Sequence, residues 1–244
     1  MSWERYQEID GKMVDTKYIS LSEEWHLEND KKFSDYIKDK SIIIVGPAQT
    51  LIDSNWGEFI DGHDIVVRFN GYRPDQDEFK SNKFTKDYGK KCHIMYVNGE
   101  QDREFGPFDT KSWSEHGLKW LNLKSEHGHT HLYRENVNVR VVGTKPRPCD
   151  SALIALIAIN DLLEYKPKLI SVTGMDFNQG AKLNGYKSMY VPGYEKFPER
   201  QGHSDHQFEP NKMAMRKWMI DGKIQCDDVL KDVLLDHTKG AAGI

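Results

Sequence analysis

The sequence predicts an α/β protein: a Rossmann-like, mostly parallel sheet with helices on both faces. Three observations predict it. Short β-branched, apolar runs recur at Ser41–Val45, Ile65–Asn70, His93–Val97, Val137–Gly143 and Leu169–Thr173. Stretches of helical pattern separate them, and such alternation builds parallel sheets covered on both sides. The first run, SIIIV, enters a Gly-Pro-Ala turn at once, as the first strand of such a sheet does.

Composition narrows the class. The 244 residues suffice for one large domain or two small ones. We divide them into an N-terminal helical extension, 1–40, and a single Rossmann-like domain, 41–244. A net charge of −4 speaks against a nucleic-acid partner, and 11% aromatic residues speak against disorder. The cysteines, Cys92, Cys149 and Cys226, are odd in number and far apart. That fits reduced thiols in a cytoplasmic protein. No 18-residue apolar run suggests a membrane span, and MSWERYQEIDGK does not read as a signal peptide.

In chain order, Ser22-Glu-Glu-Trp25 marks a helix start, with Trp25, Phe33, Tyr36 and Ile37 on one apolar face up to Lys40. Ser41–Val45 is a buried strand followed by Gly46-Pro47-Ala48, a turn suited to phosphate or nucleotide but lacking the GxGxxG pattern. Trp56–Asp61 is helical in pattern, and Ile65–Asn70 is a second strand with Asn70 at its ligand end. Gly71–Lys86 reads as a polar surface loop. Its Asp75-Gln-Asp77 is formally a DxD, which we read as a solvated loop rather than a metal site. His93–Val97 is a third strand, ending in Asn98-Gly99, and Leu118–Leu123 is a further strand candidate. His127, His129 and His131 have the spacing of a metal chelate, but alternate histidines beside glycine are more often surface residues.

Arg147–Gly180 is the central stretch. Pro148 and Asp150 stand where a helix begins, with Asp150 able to accept a free N–H. Ala152–Leu163 is almost continuously apolar, so its helix is buried on most sides, and Lys166-Pro167 ends it. Leu169–Thr173 follows as a strand, then Gly174-Met-Asp176 at the strand end, where open α/β sheets hold ligands. A helix start beside such an edge attracts anions. Asn178–Tyr194, with Tyr186, Tyr190 and Tyr194, is a lid-like loop or an ordinary surface loop. Gly202-His203-Ser204-Asp205-His206 precedes a helix over Glu209–Asp221; a histidine there suits a general base, or is simply exposed. A short helix over Asp227–Leu235 closes the pattern.

Four blocks in this order carry a resemblance: SIIIVGPAQTL; IVVRFN with YGKKCHIMYVN; RPCDSALIALIAI with LISVTGMDFNQG; and GHS before a helix. Together they cover most of Ser41–Met219. The chain resembles the bacterial sialyltransferases of glycosyltransferase family 42 and, more distantly, the sialylmotif proteins of family 29. The resemblance implies a GT-A-like sialyltransferase variant of the Rossmann-like fold and an inverting enzyme that needs no metal or cofactor. It would move sialic acid or a related sugar from a CMP-activated donor to a hydroxyl of a glycan or glycolipid acceptor. His203 then matches the catalytic base, and Tyr186 and Tyr190 the hydroxyls that hold the departing phosphate. Gly46, Pro47, Asn70, Asn98, Arg147, Asp150, Ser151, Gly174 and Asp176 fall at donor- or nucleotide-binding places. Peripheral membrane contact and a homo-oligomer are compatible with that reading.

The sequence departs from the family in three ways. Gly46-Pro47-Ala48 lacks the usual asparagine after the first strand. Asp150-Ser151 replaces a small Ser-Gly pair, placing a carboxylate where the family meets the donor's own. His206 competes with His203 for the role of base. The alternatives are a different nucleotide-sugar donor, or a catalytically decayed nucleotide- or sugar-binding protein on the same fold.

Overall fold

The computed structural model describes residues 6–9, 12–15, 23–46, 48–70, 82–98, 110–115, 117–124, 136–143, 145–150, 152–177 and 208–235. A hairpin, β1 (Tyr6–Ile9) and β2 (Lys12–Asp15), precedes helix α1 (Glu23–Ile37). Then come β3 (Ser41–Val45), α2 (Gly57–Asp61), β4 (Ile65–Phe69), α3 (Asn82–Tyr88), β5 (Ile94–Val97), α4 (Thr110–Glu115), β6 (Trp120–Leu123) and β7 (Asn138–Val141). The chain ends with α5 (Ile154–Glu164), β8 (Leu169–Thr173), α6 (Phe208–Ile220), β9 (Gln225–Cys226) and α7 (Asp228–Leu235).

Seven of these strands form one sheet in the order β7-β6-β5-β4-β3-β8-β9, and every pair in it is parallel. The expected α/β architecture is therefore present. The sheet starts at β3, adds four strands on one side, then returns through α5 to add β8 and β9 on the other. The reversal between β3 and β8 is a topological switch, and the crevice outside the strands' carboxyl ends there is where open α/β sheets take ligands.

Burial explains why the strand runs are so uniformly apolar. Ile42, Ile44, Val67, Tyr96, Ile170 and Val172 face α1, α5, α6 and α7 in the largest core cluster. Ile43, Val45 and Val66 face the other way, onto Ile60 of α2 and Tyr88 of α3. Met95, Leu121 and Val139 meet Trp113 of α4 on that second face. A strand covered on both sides has no polar alternation to keep. Each aliphatic side chain taken out of water here contributes about 1.5–3 kcal/mol.

Several expectations need adjusting. The helix expected within 1–40 is α1, whose Phe33 and Ile37 are fully buried in the main core; the β1–β2 hairpin before it was not anticipated. Gly71–Lys86, read as a surface loop, includes the start of α3 at Asn82. The helix expected from Ala152 begins at Ile154. Among the described residues no helix is long and apolar enough to cross a membrane.

Candidate active site at the carboxyl edge of the sheet

Adjacent strands β8, β3, β4 and β5 each end in a residue singled out from the sequence: Gly174, Gly46, Asn70 and Asn98. Gly46 donates to the Thr173 carbonyl at 2.7 Å, and Ala48 to the Gly174 carbonyl at 2.8 Å. The two turns are pressed together. A Cβ on Gly46 would lie 2.2 Å from the Gly174 oxygen, and one on Gly174 would lie 2.7 Å from the Gly46 oxygen. Gly174 is also left-handed at φ +66. Both glycines are thus demanded by backbone contact between the strand ends.

The next two strand ends are cross-linked. Asn70, left-handed at φ 52, donates its amide to the Tyr96 carbonyl at 2.9 Å. Its Oδ1 accepts the Asn98 amide at 3.2 Å. Asparagine is among the few residue types that tolerate this backbone region. The Asn98 Oδ1 is buried with no hydrogen-bond partner among the described residues. A buried acceptor left open at a strand end is one a bound donor group can satisfy.

Helices α5 and α6 start beside one another. The α5 N-cap, Leu153, brings no capping side chain, and its amide donates to Oδ1 of Asn211, a fully buried residue of α6, at 2.8 Å. The β8 end joins them: Phe177, three residues past Gly174, packs edge-on against Phe208, the first residue of α6, at 6.5 Å between ring centres. Asp227 secures this corner. Its carboxylate accepts Thr173 Oγ1 at 2.6 Å and the Gly174 amide at 3.2 Å, while its other oxygen caps α7 through the Leu230 amide at 2.7 Å.

The floor of the Gly46 turn is equally fixed. Tyr88 donates its hydroxyl to the Ala48 carbonyl at 2.6 Å. Arg68 Nη2 in turn donates to the Tyr88 carbonyl at 2.7 Å, and its Nε to Lys91 O at 2.8 Å. Asp87 accepts the amides of Asp53 and Asn55, at 2.7 and 2.9 Å, where both residues are left-handed.

Of the residues singled out from the sequence, Gly46, Asn70, Asn98, Gly174 and Asp176 lie along this one edge, with Asp176 half-buried. Arg147 and Asp150 are exposed in the turns between β7 and α5. Asp150 does not cap α5: the helix begins four residues later and Asn211 supplies the acceptor. Pro47, Ser151, Tyr186, Tyr190, His203 and His206 lie outside the described residues, as do the lid-like loop, Asp75, Asp77, His127, His129 and His131.

Sequence reasoning missed a buried ionic cluster behind the edge. Arg140 of β7 and Asp161 of α5 are each 2% exposed and bonded at 2.9 Å. Asp161 also accepts Lys145 Nζ at 2.7 Å and the Tyr96 hydroxyl at 2.7 Å. Arg140 reaches Asp30 of α1 at 2.6 Å and lies over the Phe33 ring. Burial would raise the Asp161 carboxyl, but the Arg140 and Lys145 charges outweigh it and hold it below the usual range. Burial likewise works against charge on Lys145, and Asp161 with its neighbours reverses the sign and raises it. One signal was available: Asp161 is the single polar residue among the buried positions of α5.

With this geometry in place, likeness to known proteins adds the following. No family model matches the chain. Over 58 residues it is 36% identical to a β-1,6-galactosyltransferase of Arabidopsis thaliana; the stretch is 24% of this chain and 13% of that relative's length. The crystal structure of a mammalian sialyltransferase, in complex with Gal-beta-1-3GalNAc-ortho-nitrophenol, aligns over 91% of this chain and 92% of its own, with TM-score 0.46 and 12% identity.

Proposed function

We propose that the chain is an inverting, metal-independent glycosyltransferase that moves sialic acid or a related sugar from a CMP-activated donor to a hydroxyl of a glycan acceptor. The observation that carries this reading is the convergence at the carboxyl edge. Four neighbouring strand ends, the α5 start and the α6 start share it, tied by the Asn211–Leu153 and Phe177–Phe208 contacts. The nucleotide is proposed to lie along Gly46, Asn70, Asn98, Gly174 and Asp176, with Arg147 and the α5 start toward its phosphate. The short likeness to a plant galactosyltransferase supports sugar transfer as the reaction class.

The proposed chemistry suits these residue types. As the bond from sugar to phosphate breaks, the leaving group gains negative charge, and donors aimed at it lower the barrier. Tyr186, Tyr190 and the helix N–H groups fill that role. The acceptor hydroxyl needs a base whose pKa lies near neutrality, which histidine supplies. His203 precedes the first residue of α6, Phe208, by five positions in the sequence. A single displacement inverts the sugar carbon and needs no covalent intermediate.

Thermal unfolding with and without CMP tests the donor class: CMP raises the midpoint, and a panel of nucleotides without effect contradicts the reading. His203→Ala then abolishes transfer while CMP still binds. A second reading, a binding protein with a decayed site, draws on Asp150, whose exposed carboxylate is not engaged as the α5 cap and stands near an edge proposed to take an anion. Slow hydrolysis of CMP-sialic acid by the purified protein separates the two, since a decayed site lacks it.

A further inference from the structure

The turn that carries Arg147 is held more firmly than an exposed loop requires. Arg147 stands between Pro146 and Pro148, which restrict the backbone on both sides. The Pro146 carbonyl accepts Asn160 Nδ2 of α5 at 3.0 Å. Lys145 Nζ folds back onto three α5-side partners: Asp161 at 2.7 Å, Glu164 at 2.8 Å and the Tyr165 hydroxyl at 2.7 Å. Asp161 is itself anchored to the sheet through Arg140 of β7 and Tyr96 of β5. The strap therefore runs from the sheet, through a buried carboxylate, to the residue two places before Arg147. Arg147 itself remains exposed.

We propose that Lys145, Asn160 and Asp161 are positioning residues that fix the Arg147 turn, so that the arginine is presented at the carboxyl edge as a ready anion partner. The inference rests on the nucleotide reading above for the identity of the anion, the phosphate of a CMP group. None of the three touches the ligand; they act through Arg147 by removing the freedom the turn would otherwise lose on binding. Loosening the strap weakens binding without removing a contact.

The test uses the full chain and CMP as the probe. Lys145→Met releases the turn from α5 while Arg140 and Tyr96 still hold Asp161; Asn160→Ala, at a half-buried position, is a milder release. Hydrogen exchange on the ligand-free protein is expected to accelerate at least tenfold in Lys145→Met at amide 145, which donates to the Val142 carbonyl at 3.3 Å. CMP affinity falls by about tenfold relative to wild type at a temperature where both are fully folded. Arg147→Ala lowers affinity similarly, and the Lys145→Met/Arg147→Ala double variant binds no more weakly than Arg147→Ala alone, because Lys145 acts through the arginine. Unchanged exchange in Lys145→Met, or additive losses in the double variant, overturns the proposal. A wild type that does not bind CMP overturns the nucleotide reading instead, and the exchange data then decide alone whether the strap fixes the turn.

Discussion

Asn211 of α6 takes the place of the missing cap at the start of α5, its Oδ1 accepting the Leu153 amide at 2.8 Å across 58 residues of sequence. One buried amide side chain thereby sets two helix starts side by side at the edge where the strand ends converge. Asn211→Ala is expected to destabilise the protein by about 1–2 kcal/mol, as losing an N-cap acceptor does. Urea unfolding measures it, and Asn211→Asp, which keeps an acceptor, recovers part of the loss.

Gly46 and Gly174 form the second joint of that edge. Alanine at either position drives a Cβ into the other turn's carbonyl, and at Gly174 also forces a left-handed alanine. Each substitution is expected to cost more than about 2 kcal/mol and to lower the yield of folded protein. A stable Gly174→Ala with a wild-type unfolding curve would show that the two turns are not packed as described.

The Asp161 carboxyl, depressed by Arg140 and Lys145 despite its burial, couples the fold to acid. A lowered folded-state pKa contributes stability that is complete above the unfolded value of about 4 and is lost as the pH falls through the folded value. Asp161→Asn leaves Arg140 without its buried counter-charge and is expected to cost about 3–5 kcal/mol at pH 7. The gap between variant and wild type narrows below about pH 4, which unfolding curves at stepped pH measure.

His93 gives a second pH signature, nearer neutrality. Its Nδ1 accepts the Val66 amide at 2.9 Å, so that nitrogen carries no proton in the fold. Burial, with Lys91 adding to it, lowers the imidazole's pKa. The neutral ring is therefore favoured by folding. Its contribution is present above the unfolded pKa of about 6.5 and is lost as the pH drops through the folded value. NMR titration is expected to place the His93 midpoint below the ordinary histidine value of about 6.5, and the melting temperature declines as the pH falls from there toward the folded value.

The sheet was legible in the sequence because both its faces are covered. SIIIV, IVVRF and LISVT match β3, β4 and β8 to within a residue. β9, two residues long, has no period to read. The start of α5 was misplaced because Pro148 and Asp150 imitate a helix start locally, while the acceptor that fixes the actual start comes from α6. Arg140 and Asp161 escaped notice for a related reason. Hydrophobic patterning assigns charged residues to the surface, and partners up to 110 positions apart leave no local trace of their burial. At the edge, close backbone approach selects glycine at positions 46 and 174, and the left-handed turn at position 70 suits asparagine.

The proposed seat of a CMP group is the carboxyl edge between β5 and β8. A crystal of the protein with CMP at saturating concentration tests that most directly. The nucleotide is expected against the Gly46 and Gly174 turns, with Asn98 Oδ1 accepting a hydrogen bond from it and the His203 imidazole across the same cleft. CMP bound elsewhere, an empty edge, or His203 on the far side of the sheet would contradict it.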